Sequence, residues 1–137
     1  MISFGNVYLY NRVATEINKT SLDVRIGFVH STTTRNQSLN LDIADIFKPI
    51  IVDRAIFSLI NLKMIRVEDH FENLENGAVY LNTAGKRLFI NALDEKIYEK
   101  QTENNHPLSY DTRLRQEVSK VFRLVLYGEK YKPYKYQ

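Results

Sequence analysis

The feature that most constrains this chain is the run from Pro49 to Leu62, where Ile51-Val52, Ala55-Ile56 and Leu59-Ile60 recur as apolar pairs four residues apart. At 3.6 residues per turn such pairs stack into a wide apolar stripe. A stripe that wide calls for neighbours around much of the helix, so the run is expected at the centre of a core built from other helices. Pro49 suits the first turn, where its missing N–H has no partner to lose. The same ring disfavours a helical Lys48 and removes a donor that a preceding helix would need. The spacing therefore predicts one helix over Ser38 to Phe47, a break, and a second helix over Pro49 to Leu62.

Helical periodicity continues on both sides. Phe4, Val7, Tyr8, Val13, Ala14 and Ile17 describe a first amphipathic helix with Ser3 placed as its cap. Val67 to Leu74 reads as a short helical turn, Glu75-Asn76-Gly77 as a tight turn and Ala78 to Leu81 as a short strand. Asn82 caps a helix reaching about Lys100, with Leu88, Phe89, Ala92, Leu93 and Ile97 on its inner face. Gln101 to His106 is a polar connection. Pro107 and Ser109 open a last helix that turns Leu114, Val118, Val121, Phe122 and Val125 inward and ends at Gly128. The fold class expected is mainly α: a single multi-helix domain over residues 1–137, with at most a short β segment near 78–81.

A chain of 137 residues is long enough to bury a real core and short for two domains. It has no cysteine, which excludes a disulfide framework and a thiolate zinc site. Its apolar runs are broken by Asp53, Arg54 and Ser58, far short of the roughly 20 residues a membrane span needs. No charged segment followed by an apolar one opens the chain. These features lead to the expectation of a soluble, cytoplasmic protein without a membrane partner.

The net charge of +3 is unevenly spread. From Tyr110 onward seven basic residues face three acidic ones, and Arg113, Arg115, Lys120 and Arg123 are candidate phosphate contacts on the last helix. A solvated helix face explains the same residues equally well. The tail alternates lysine and tyrosine. Its rings are suited to stacking on bases, although such tyrosines more often pack on their own domain.

Asp42 and Asp45 lie three apart on the helix expected over Ser38 to Phe47 and so share a face. Their mutual repulsion is a cost that a cation removes. An imidazole delivered by the preceding polar loop, His30, would complete a set of oxygen and nitrogen donors suited to Mg²⁺ or Mn²⁺. Two acids near a helix start also complement its dipole, and a loop histidine is commonly just solvated. By residue type and spacing alone the motif is not specific, and both readings stay open.

Order and spacing along the whole chain add a resemblance. Gly27-Phe28-Val29-His30, a polar loop, and then Ser38-Leu-Asn-Leu-Asp-Ile-Ala-Asp-Ile-Phe-Lys-Pro-Ile-Ile-Val-Asp53 resemble the CRISPR-associated endonuclease/integrase family of spacer acquisition. The likeness extends through Ser3-Phe-Gly-Asn6, Leu9-Tyr10, Gly77 to Leu81, Gly85-Lys86, Ser109-Tyr110 and Tyr131-Lys132-Pro133. It implies the helical C-terminal part of a metal-dependent DNA endonuclease and strand-transfer enzyme that inserts new spacers into a CRISPR array. The family's divalent ion, Mg²⁺ or Mn²⁺, is held by a glutamate, a histidine and an aspartate. On matching positions the histidine is His30 and the aspartate Asp45, with Asp42 in or beside the site. The glutamate belongs to a Glu-Gly motif upstream of Met1, as does the β-rich domain through which the family dimerises. By this resemblance the chain is expected to lack one ligand by itself, and Glu16 is a poor substitute because it falls on a later helix. The implied partners are DNA, a second copy of the family protein and the small companion protein of the spacer-integration complex.

A rival resemblance covers a third of the chain. Ile56 to Ile65 with Val79 to Leu88 is similar to the helix and wing of winged-helix DNA-binding regulators, which bind duplex DNA without chemistry. Against it, Glu68, Asp69, Glu72 and Glu75 make the segment acidic where a recognition helix would be basic.

Overall fold

A computed structural model describes residues 1–22, 38–103 and 105–136. Six helices carry most of these residues: α1 (Ile2–Asn18), α2 (Ser38–Lys48), α3 (Arg54–Asn61), α4 (Val67–His70), α5 (Thr83–Tyr98) and α6 (Tyr110–Tyr127). Two antiparallel hairpins fill gaps between them, β1 (Phe71–Asn73) with β2 (Val79–Leu81) and β3 (Lys100–Glu103) with β4 (His106–Ser109).

The break expected at Pro49 does not occur. Residues Pro49–Asp53 form a π turn that joins α2 to α3 without leaving helical dihedrals, with Lys48 at φ −52° and ψ −51°. A wider turn moves the preceding carbonyls away from the proline ring and tolerates the missing N–H, which is how helices commonly absorb such a residue. The outcome is one long central helix. Ile50, Ile51 and Val52 are buried on three successive sides of the widened turn, and Ala55 and Leu59 continue the buried stripe.

Around it lie Leu9, Val13 and Ile17 of α1, Phe89, Leu93 and Ile97 of α5, and Leu114, Val118 and Val121 of α6, all buried. Two glycines permit close approaches here. A Cβ on Gly5 would come within 2.6 Å of Val52 Cγ1, so α1 can cross the π turn only because that atom is absent. A Cβ on Gly85 would lie 2.2 Å from the His70 carbonyl oxygen, where the first turn of α5 meets the end of α4.

Caps follow the sequence in most places. Asn82 Oδ1 accepts from Gly85 N at 2.8 Å, Ser109 Oγ accepts from Thr112 N at 3.2 Å, and Gly128 ends α6 in the left-handed region at φ +66°. Ser3 does not cap: the cap position of α1 falls two residues earlier, at Met1, with no side-chain acceptor. The helical turn expected over Val67 to Leu74 stops at His70, because Phe71–Asn73 pairs with the strand at 79–81. The polar connection expected over Gln101 to His106 forms the second hairpin instead, with Lys100 opposite Ser109 and Thr102 opposite Pro107. Among the described residues no helix is long and apolar enough to cross a membrane.

Candidate functional site

The α2 helix is held by its apolar face, with Leu39, Ile43, Ala44 and Phe47 buried, and by Asn40, whose Nδ2 donates to the Tyr10 carbonyl at 3.3 Å. The opposite face carries the carboxylates. Asp45 is exposed and Asp42 half-buried, one turn apart on the same side.

Lys48 completes the local electrostatics. Its Nζ lies 2.6 Å from Asp45 Oδ1 and 4.6 Å above the Tyr10 ring. Burial works against its charge, but hydrogen bonds to Asp45 and Tyr10 outweigh that and hold its pKa above the ordinary lysine value. Sequence reasoning overlooked Lys48 as a partner; the signal was its place three residues after Asp45.

His30 and the Gly-Phe-Val-His motif lie outside the described residues. Among the described residues no three His, Asp or Glu side chains converge as a metal set. The chemistry of the available donors, hard carboxylate oxygens on an accessible helix face, fits Mg²⁺ or Mn²⁺ in kind. In number α2 supplies two, Asp42 and Asp45.

Glu16 is not a spare ligand. It is buried and held by Arg12 at 3.2 Å, Lys19 at 2.9 Å and Arg115 at 3.6 Å. Arg12 also pairs with buried Asp111, whose second oxygen lies 2.9 Å from Arg115 Nη2. These charges lock α1 to α6.

The candidate phosphate contacts on α6 are therefore divided. Arg113 is buried at 5% exposure, with its guanidinium 4.9 Å from the Tyr134 ring centroid. Arg115 is exposed but engaged with Glu16 and Asp111, on the side facing α1. Lys120 Nζ lies 2.5 Å from buried Glu117 and 3.2 Å from the Lys132 carbonyl. Arg123 is exposed. Arg113, Glu117 and Lys120 share the wall of a cavity of about 540 Å³ with Tyr131 and Tyr134, so the tail tyrosines pack on their own domain.

A mainly α domain organised round one long helix, which carries a surface carboxylate pair on the face opposite the core, is the class these features define. A family model described as CRISPR associated protein Cas1 matches residues 1–95, and the chain belongs to that family. It is 40% identical over 136 residues to the CRISPR-associated endonuclease Cas1 2 of Thermodesulfovibrio yellowstonii, covering 98% of this chain and 41% of the relative. It is likewise 40% identical to the CRISPR-associated endonuclease Cas1 of Clostridium perfringens, over 98% of this chain and 41% of that protein. Among solved structures, a Cas1 protein from Thermotoga maritima matches with a TM-score of 0.86 at 36% identity, over 96% of this chain and 41% of that one. A casposase bound to integration product shares the fold, with a TM-score of 0.86 at 23% identity over 98% of this chain and 38% of that one. The chain thus spans about two-fifths of the length of the curated relatives it matches. The winged-helix resemblance gives way, since the hairpin β1-β2 and the start of α5 are parts of this larger fold.

Proposed function

We propose that this chain provides the helical part of a metal-dependent DNA endonuclease and strand-transfer enzyme of CRISPR adaptation. The observation that carries the reading is the placement of Asp42 and Asp45 on one face of a helix whose other face is locked in the core. The buried face of the helix fixes where the two carboxylates stand, which is what site geometry demands. Membership of a family whose relatives are named endonucleases supports the rest.

In this reading Asp45 and His30 hold a Mg²⁺ or Mn²⁺ ion and Asp42 supports the site. When bound, such an ion neutralises phosphate charge and orients the attacking oxygen in phosphodiester chemistry. The residues of this chain prepare for it. Phe47 and Ile43 fix the helix, and Lys48 occupies Asp45 until an ion displaces it. Arg123 offers an exposed charge to a phosphate. DNA is the proposed substrate, in keeping with the integration product bound by the casposase of the same fold. A second copy of the family protein and the small companion protein of the spacer-integration complex are the proposed protein partners.

The test is Mn²⁺-dependent cleavage of branched and linear DNA by the chain beside a His30→Ala, Asp45→Ala double variant. Cleavage abolished in the variant is the expected result. Cleavage that survives both substitutions would overturn the assignment of these two ligands. Absence of cleavage by either, with Mn²⁺ binding retained, would show that the ligand set is incomplete without the family's glutamate.

A further inference from the structure

After Gly128 the chain reverses and runs back over the helices. Tyr131 Oη donates to Glu117 Oε2 at 2.7 Å, and Lys120 Nζ ties Glu117 to the Lys132 carbonyl at 3.2 Å. Beyond Pro133 the contacts reach past α6 to α2 and α3. The Tyr134 ring stacks on Phe47 with centroids 5.8 Å apart and planes within 6°, and the buried Arg113 guanidinium lies 4.9 Å from its centroid. Arg54, at the start of α3, sits 4.3 Å from the Tyr136 ring centroid. The tail thus spans the π turn, gripping α2 before it and α3 after it.

Phe47 has a position that gives this strap a consequence. It falls between Asp45 and Pro49, in the last turn before the helix widens, and it is fully buried. Pro49 has no N–H to give the carbonyl of Asp45, its regular partner four residues earlier, so the turn bearing Asp45 lacks one α-helical bond of the ladder. An aromatic stack there supplies support from outside.

We propose that Tyr134 is a positioning residue for the carboxylate pair: by stacking on Phe47 while its ring lies against the Arg113 guanidinium, it fixes the turn of α2 that carries Asp45. Its relevance to metal rests on the function proposed above, while the clamping does not.

Amide hydrogen exchange on the wild-type chain, Tyr134→Ala and Tyr134→Phe separates the two. Loss of the ring is expected to speed exchange at residues 42–48 by about three- to tenfold, with the α5 amides from Phe89 to Ile97 unchanged. The ring-retaining Tyr134→Phe is expected to restore protection. Unchanged exchange over 42–48, or an equal rise throughout the molecule, would overturn the proposal. A Mn²⁺ titration of the same three proteins then reads the consequence: Tyr134→Ala binds more weakly than wild type and Tyr134→Phe binds like it. Binding unmoved in Tyr134→Ala despite faster exchange would refute the positioning role. A wild type that binds no Mn²⁺ would refute the metal reading and leave the exchange result standing.

Discussion

Asp45 and Lys48 face each other across one turn of α2, with the ammonium 2.6 Å from the carboxylate oxygen. A resident ammonium and an incoming divalent ion compete for the same charge, so the pair sets an electrostatic threshold for metal binding. The Asp45 side chain is 42% exposed, which keeps the competition modest because solvent screens it. Lys48→Met is expected to tighten Mn²⁺ binding by about two- to fivefold, the range an exposed ion pair commands. An isothermal titration of variant and wild type checks this, and weaker binding in Lys48→Met would show that Lys48 orients Asp45 instead of competing with the ion.

The two glycine contacts differ in what can yield. At Gly5 the obstructing atom is a side-chain methyl of Val52, while at Gly85 it is the backbone oxygen of His70. Gly5→Ala is expected to cost about 1–3 kcal/mol, as overpacking usually does, and Gly85→Ala to cost more. Urea denaturation of both variants tests the order. A milder Gly85→Ala would mean that α4 shifts freely away from α5.

Asp111 is buried between Arg12 and Arg115, in the first turn of α6. Removing one partner of a buried pair leaves the other charge uncompensated and costs about 3–5 kcal/mol; partial exposure of both arginines puts Asp111→Ala at about 2–3 kcal/mol. The fall should be visible as a lower urea midpoint with an unchanged slope. A change below about 0.5 kcal/mol would place the pair among ordinary surface contacts.

Tyr8 and Tyr131 impose a pH dependence. Burial, followed by hydrogen bonds to Asp94 and Glu117 respectively, pushes both phenols well above the ordinary tyrosine value. A group whose pKa is raised on folding stabilises fully below its unfolded value and loses that contribution as pH rises through the folded one. The window therefore opens near pH 10, at roughly the unfolded tyrosine pKa. The urea midpoint of the wild type should fall as pH rises from there, and fall less steeply in a Tyr8→Phe, Tyr131→Phe variant. Parallel declines would remove these phenols as the cause.

How much of this was legible in the sequence depended on whether the deciding contact was local. The pairs Ile51-Val52, Ala55-Ile56 and Leu59-Ile60 announced a buried central helix, and Asn82, Ser109 and Gly128 marked helix ends through their own cap chemistry. Pro49 misled because its local rule favours a break, whereas packing of Ile50, Ile51 and Val52 from several sides made it worth keeping the helix whole through a widened turn. The β3-β4 hairpin was missed because Lys100 to Glu103 is polar and carries no alternation of apolar residues. At the site, the shared face of Asp42 and Asp45 followed from spacing alone. Arg115 pairs with Asp111 four residues back, a local helical spacing, but its link to Glu16 on α1 and the turn of Arg113 toward Tyr134, 21 residues along, depend on distant contacts that no local pattern encodes.

The most direct test of the central claim is a Mn²⁺ titration of the chain followed by electron paramagnetic resonance, beside Asp45→Ala and His30→Ala. The expected result is a bound Mn²⁺ signal in the wild type that is lost in both variants while their folding, read by circular dichroism, is retained. Equal binding in all three proteins, or none in the wild type, would contradict the assignment of Asp45 and His30 as the ion's ligands.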